Sequence, residues 1–552
     1  MKIGGAQQRQ SLNRNLIWLA LLFLVFAVGA ILGERGLIQS LDSALRGGLP
    51  SDPNNGSSPL PVLAVDMPFT NYNTILAQRE AALAFGVVTT TDADFVPAMI
   101  RWQSSNVPIR LRLHQGTAVH LGDGEKWNFE GRLRDDHLLL GMRRFYLLDP
   151  ADNNWLNEWA FMQSLRREGI LAPRYHFVRL ILNGDDWGVY VLQEGAGHEL
   201  ITSQNRPEGM IVEFDAARWW QSLAYFEGNA RAAIADPVVG LTANHFQYFE
   251  IDVADEAAIA GDDTLVAQSE TAVARLRALQ QGQLPAAAVF DAASYGRFLA
   301  LVDLWGATEA TSLVNLRLYY NPESDRLEPI AYNGNPLGSD TRISPGSLYH
   351  DPALQAVYVA AASRLSQPDY LQELRADLND ELQQLQSMLK VEADLALPWA
   401  ALRERQEQMR RSLSPIQPVF AYVSQPESAV TPVIQVDVAN ALSLPLELVG
   451  FDLGGATFLE VDPTWIQGDA SDWLIDGGTG HGVILKGRDG RPAPGYVRFH
   501  LPLTAVLQAD DELDYTQEIE ILVAARLFGR DGFQLTPARQ RFSQAVATER
   551  NN

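Results

Sequence analysis

Between Tyr175 and Glu194 the chain reads YHFVRLILNGDDWGVYVLQE. Two runs rich in β-branched and aromatic residues flank Asn183-Gly184, a dipeptide that accepts the positive φ values of a type I′ turn. The spacing predicts two antiparallel strands in fixed register. A second strand signal lies upstream in VPIRLRLH (Val107 to His114), where Arg110 and Arg112 alternate with Ile109, Leu111 and Leu113.

Helical signals alternate with these strands. NEWAFMQSLRREG reads as a helix capped by Asn157, with basic Arg166 and Arg167 in its last turn and Gly169 as its stop. Asp291 caps a helix through SYGRFLALVDLWG. Leu371, Leu374, Leu378, Leu382, Leu385 and Leu389 recur at intervals of three and four, which predicts a long amphipathic packing helix. After about Pro426 the texture changes to short β-rich runs, TPVIQVDVAN, LPLELVGFDL, GYVRFHLPL and EIEILVAARLFG, separated by Gly, Pro and Asp. Their spacing predicts a small β-sandwich. The fold class is therefore α+β with a C-terminal β-sandwich-like domain.

The N-terminus sets the location. Lys2, Arg9 and Arg14 precede LIWLALLFLVFAVGAILG, an uncharged run from Leu16 to Gly33. About 17–25 residues span a bilayer, and the positive flank places the N-terminus inside. A cleaved signal peptide ending near Val28–Ala30 is the rival reading. The Gly-, Ser- and Pro-rich stretch Ser51 to Pro61 reads as a tether. The expected organisation is a cytoplasmic tip and anchor (1–35), a flexible linker (36–60), a main domain (61–425) and the β domain (426–552). It gives a single-pass cell-membrane protein whose bulk is extracytoplasmic. A net charge of −24 argues against nucleic acid as a partner. The lack of cysteine removes disulfides, thiolate catalysis and thiolate metal sites.

The residues that could carry chemistry lie in three places. Lys126, in the Gly-rich turn HLGDGEKWNFEGRL, reads on local sequence as a solvated lysine, or as a point charge reaching a phosphate; no GxxxxGK[ST] loop is present. Glu194 closes an apolar strand and is either an exposed strand-end carboxylate, a partner for Lys126, or a cation ligand. In WGATEATSLVNLRLYYNPESDRLEPIAYNGNPLG, Glu309 precedes Asn315, and Asn333 and Asn335 follow across a hairpin. Such a set could serve phosphoryl transfer, a carboxylate taking the hydroxyl proton and others holding magnesium; it also fits a structural hairpin with Asn in left-handed turn positions. His198 and His245 have no partner at metal-ligand spacing.

Residues 107 to 338 resemble the CotH kinase-like family, named after a spore coat protein. GEKWNFEGRLRDDHLLLGMRRFYLLDP, NNWLNEWAFMQSLRREGILAPRYHFVRLILNGDDWGVYVLQE and NLRLYYNPESDRLEPIAYNG carry the resemblance. It implies an atypical protein-kinase-like fold, and for active members transfer of phosphate from ATP to protein side chains with a divalent metal. On that resemblance Lys126 matches the nucleotide-contacting lysine and Glu194 the acidic residue closing the hairpin strand. Asn315 matches the metal-side asparagine, and Asn333 stands where the family has a metal-binding aspartate. Glu309 is the nearest carboxylate to the expected catalytic aspartate. Further departures are Glu130 for an arginine, Leu148-Asp149-Pro150 for QHP, and Gln193-Glu194-Gly195 for EEH. The combination points to a pseudokinase acting as a binding or scaffold module for an envelope or secreted protein. An active kinase using ATP and Mg through Glu309, Lys126, Glu194, Asn315 and Asn333 is the alternative. A carbohydrate- or wall-binding protein, using the aromatic Arg218 to Trp220 stretch, is the third reading.

Overall fold

The computed structural model describes residues 60–122, 126–134, 136–215, 250–254, 259–338, 351–390, 395–424, 433–453, 458–475, 482–488, 494–502 and 520–540. The apolar run 16–33, the Arg218–Trp220 stretch and His245 lie outside these residues. Among the described residues no helix is long and apolar enough to cross a membrane. Two compact units are distinguished, Met1–Pro61 and Val62–Asn552, and every element below belongs to the second.

The hairpin read from the sequence forms as β8 and β9 of a closed barrel. Its strands are β1 (Val62–Asp66), β3 (Val96–Trp102), β4 (Ser105–Leu113), β6 (Phe129–Leu133), β7 (Arg144–Leu148), β8 (Tyr175–Leu182) and β9 (Asp185–Glu194), while β2 (Val87–Val88) and β5 (Gly116–Thr117) form a small separate ladder. The order is β1-β3-β4-β6-β7-β9-β8, and the only parallel pairing within the barrel, β1 with β8, closes it. Asn183 and Gly184 take φ values of 52° and 92°, which matches the twist that a two-residue hairpin requires. Closure removes both sheet edges and gives each strand a dry inner face.

Alternate residues fill that interior. Ile109, Leu111, Leu113, Phe129, Phe145, Leu147 and Leu192 are essentially inaccessible, and helix α1 (Phe69–Phe85) adds Ile75 and Ala82 to the same core. The Phe145 ring occupies the space a side chain would need at its cross-strand partner Gly131, where a Cβ would lie 2.1 Å from the ring. The alternation in β4 has one departure: Arg112 faces outward yet is buried, because it pairs with Glu130 and lies over the Phe95 ring.

Beyond the barrel, helix α2 (Leu156–Arg167) leads from β7 back to β8. A second sheet has the order β11-β10-β12-β13, from β10 (Met210–Asp215), β11 (Glu250–Val253), β12 (Arg317–Asn321) and β13 (Arg326–Ile330). Helices α3 (Ala292–Trp305), α4 (Pro352–Leu365), α5 (Pro368–Leu389) and α6 (Trp399–Leu413) follow in chain order. Asp291 caps α3 by accepting from the Ser294 amide, and all six periodic leucines of α5 are buried.

Residues 419–540 supply two further sheets, of five and six strands. Phe499 on one and Phe451 on the other, both fully buried, meet edge-on with ring centroids 5.5 Å apart. The architecture is thus mixed α and β, with sheets making up the described C-terminal part.

Candidate functional site

The site is organised by the turn that carries the chain from β7 into α2. Asp149 accepts a hydrogen bond from the Ala151 amide and opens a single helical turn, Pro150–Asn153. Asn154 is left-handed at φ 55°, and Trp155 sits at φ 54°, ψ −116°, a conformation natural to glycine. Holding tryptophan there costs on the order of 1–3 kcal/mol. Helix α2 consequently starts at Leu156 with Trp155 in the cap position, so the expected cap Asn157 lies inside its first turn.

The strained turn aims two amides at the segment after β13. Asn153 Nδ2 donates to Asn333 Oδ1 at 3.2 Å, and Asn154 Nδ2 donates to Asn335 Oδ1 at 2.8 Å and to the Pro336 carbonyl at 3.1 Å. Asn333 and Asn335 are both left-handed at φ 47°, a conformation that asparagine tolerates because its short side chain bonds locally. Consecutive amides of Gly334 and Asn335 then converge as an anion-binding nest. Glu158 of α2 fills it: Oε1 accepts from Gly334 N at 2.9 Å and Oε2 from Asn335 N at 3.0 Å. Gly334 has no room for a side chain, since a Cβ would lie 2.7 Å from the Phe161 ring and 3.1 Å from Ala307.

Glu309 and Asn315 complete the cluster. Asn335 Nδ2 donates to Glu309 Oε1 at 2.8 Å, while Asn315 Nδ2 donates to the carbonyls of Glu309 at 3.1 Å and Asn333 at 3.2 Å. Glu158 is wholly buried. Burial pushes its carboxyl up to about 8; the two backbone N–H groups oppose the rise and the Glu309 charge adds to it.

The structure thus brings together three of the five residues singled out from the sequence: Glu309, Asn315 and Asn333. Lys126 stands at the barrel rim, its ammonium donating to the Val189 carbonyl at 2.9 Å beside the Tyr190 ring. It is tied to the organising turn through its near neighbour Asn128, which donates to Asp152 at 2.7 Å and accepts from the Asp149 amide at 2.7 Å. Glu194 does not pair with Lys126. Five residues of β9, about 16 Å of strand, separate it from Val189. Its carboxylate accepts from Arg174 Nε at 3.0 Å, Arg174 N at 3.1 Å and Arg174 Nη2, while the same guanidinium holds the carbonyls of Leu140 and Gly141. Glu194 is therefore a buried brace for the barrel, because the guanidinium reaches both its oxygens from the residue just before β8.

Glu130 is a brace of the same kind. Arg112 donates to it at 2.6 and 3.0 Å and Arg132 at 3.2 Å, and Arg144 lies 3.5 Å away. Burial by itself would raise this carboxyl, but Arg112, Arg144 and Arg132 hold it down at about 2.

Sequence reasoning missed Glu158, Asn153 and Asn154. The available signal for Glu158 was a lone charge among Leu156, Trp159, Ala160, Phe161 and Met162, all of which are buried. A carboxylate in such company needs a partner from elsewhere in the fold.

A magnesium ion bridging phosphates draws on one or two carboxylates. The donor set here is the amides of Asn315 and Asn333 and the carboxylate of Glu309, with both oxygens of Glu158 engaged by backbone. Among the described residues no three His, Asp or Glu side chains converge as metal ligands.

Residues 125–342 match the family model described as CotH kinase protein. The matched segment contains all five residues singled out above and spans well under half of the chain. No curated protein matches the chain.

Proposed function

We propose that this CotH-family member is a pseudokinase: a kinase-like fold, anchored in the cell membrane by residues 16–33, that serves as a binding or scaffold module on the outer side. The supporting observation is the engagement of Asn333, Asn335 and Glu158 with one another's segments. Groups that would have to face a nucleotide are spent on fastening the 333–336 segment to α2. Asparagine in place of aspartate removes a full ligand charge, and general-base help, where lost, is worth roughly 10²–10⁴-fold.

The active-kinase alternative rests on Glu309, a half-buried carboxylate within the cluster. Incubating the full chain in detergent with labelled ATP and Mg²⁺ or Mn²⁺ separates the two. The pseudokinase reading expects no transfer and no nucleotide-dependent rise in melting temperature, where a ligand at a hundred times its Kd would add about 2.7 kcal/mol. Autophosphorylation abolished by Lys126→Ala overturns it. The anchor is checked separately: full-length chain should resist alkaline extraction from membranes, and residues 61–552 should not.

A further inference from the structure

The outer face of the six-stranded C-terminal sheet carries an exposed aromatic patch, outside the residues matched by the CotH model. Phe458, on the short strand Phe458–Glu460, lies across the neighbouring strand Leu446–Asp452, its ring tip over Gly450. A Cβ at Gly450 would sit 2.3 Å from the Leu459 carbonyl and 2.7 Å from that ring, so both the paired backbone and the ring require glycine here. The Phe458 ring also packs against Phe533, with centroids 5.6 Å apart and planes inclined by 26°. Leu535, on the strand Gln534–Pro537, continues the patch beside Ala524 of Leu522–Leu527. Phe458, Phe533 and Leu535 are 41%, 48% and 44% exposed, although apolar side chains of this size normally bury.

Size and charge narrow what could cover it. At about 150–250 Å² per aromatic side chain, the two rings present on the order of 200 Å², far below the roughly 800 Å² that each partner buries in a stable protein interface. A near-parallel aromatic pair over a glycine floor instead has the dimensions of one or two sugar rings. Carboxylates stand at its border, Asp452 opposite Phe458 and Glu460 opposite Gly450, in reach of hydroxyl donors. The net charge of −24 disfavours a polyanion. We infer that this face binds a neutral saccharide, the C–H face of a sugar ring lying on the Phe458–Phe533 pair and its hydroxyls donating to the flanking carboxylates.

The test uses the full chain in a non-glycosidic detergent, with cellohexaose and chitohexaose as neutral probes, read by saturation-transfer NMR and titration calorimetry. At least one hexasaccharide is expected to bind. Phe458→Ala and Phe533→Ala should each weaken it at least tenfold, and Phe533→Trp should retain it. Melting temperatures of the alanine variants should match wild type, because the rings are exposed. Failure of both probes to bind at millimolar concentration overturns the inference. So does binding that survives both alanine substitutions, or a concentration-dependent self-association of the wild type that Phe533→Ala abolishes while leaving sugar binding unchanged.

Discussion

Replacing Glu158 by glutamine separates the two things this residue does: accept two backbone hydrogen bonds and carry a charge in a dry place. Glutamine keeps one acceptor oxygen for Gly334 or Asn335 and turns an NH₂ group towards the other amide. One buried N–H is then unsatisfied, at about 1–3 kcal/mol. The charge acts in the opposite sense. Burial raises the carboxyl from its ordinary 4.5 to about 8, so between those values the folded chain binds more protons than the unfolded chain. Stability from Glu158 is complete below about 4.5 and is lost as pH rises through about 8, a span worth on the order of 5 kcal/mol. At pH 5 wild type should be the more stable by about 1–3 kcal/mol. Because the loss reaches about 5 kcal/mol by pH 8, the gap should close and reverse between about pH 5 and 7, since the variant has no charge to bury. Thermal unfolding of both proteins in matched buffers from pH 5 to 9 reads the difference as a few degrees, and titrations common to both cancel. A difference that stays constant across this range refutes the account of Glu158 as a buried, proton-linked latch.

Two further outcomes bear on the barrel. Glu130→Ala leaves Arg112, Arg132 and Arg144 facing one another without their shared carboxylate, and should cost about 3–5 kcal/mol by chemical unfolding; in wild type, the stabilisation from Glu130 holds above about 4.5 and fades as pH falls towards 2. Gly131→Ala drives a methyl into the Phe145 ring and should destabilise by about 1–3 kcal/mol, with a companion Phe145→Leu change recovering part of the loss in the same melting assay.

Much of the main domain was legible because the signals are local. The Asn183-Gly184 turn, the Asp291 cap, the α5 leucines and the period of β4 each need only a few consecutive residues and backbone sterics. The Asn157 cap was misread because Asn154 and Trp155 adopt positive φ, and a strained tryptophan leaves no mark in composition or period. The Arg174 partner of Glu194 was not legible for a related reason: local pattern places Glu194 at a strand end, but Arg174 lies twenty residues away in the chain and meets it only through β-pairing.

By itself the sequence determined the element types, the acidic balance, the absence of thiol chemistry, and the residues through which the CotH resemblance is carried. Tertiary structure alone decided what those residues contact. Closing the barrel set Lys126 against Val189, five positions along β9 from Glu194, and the strained turn before α2 set Glu158 into the Gly334–Asn335 nest. Hydrogen-bond partners that are 176 and 177 residues apart are chosen by packing, because a buried carboxylate takes whichever donors the fold brings within 3 Å.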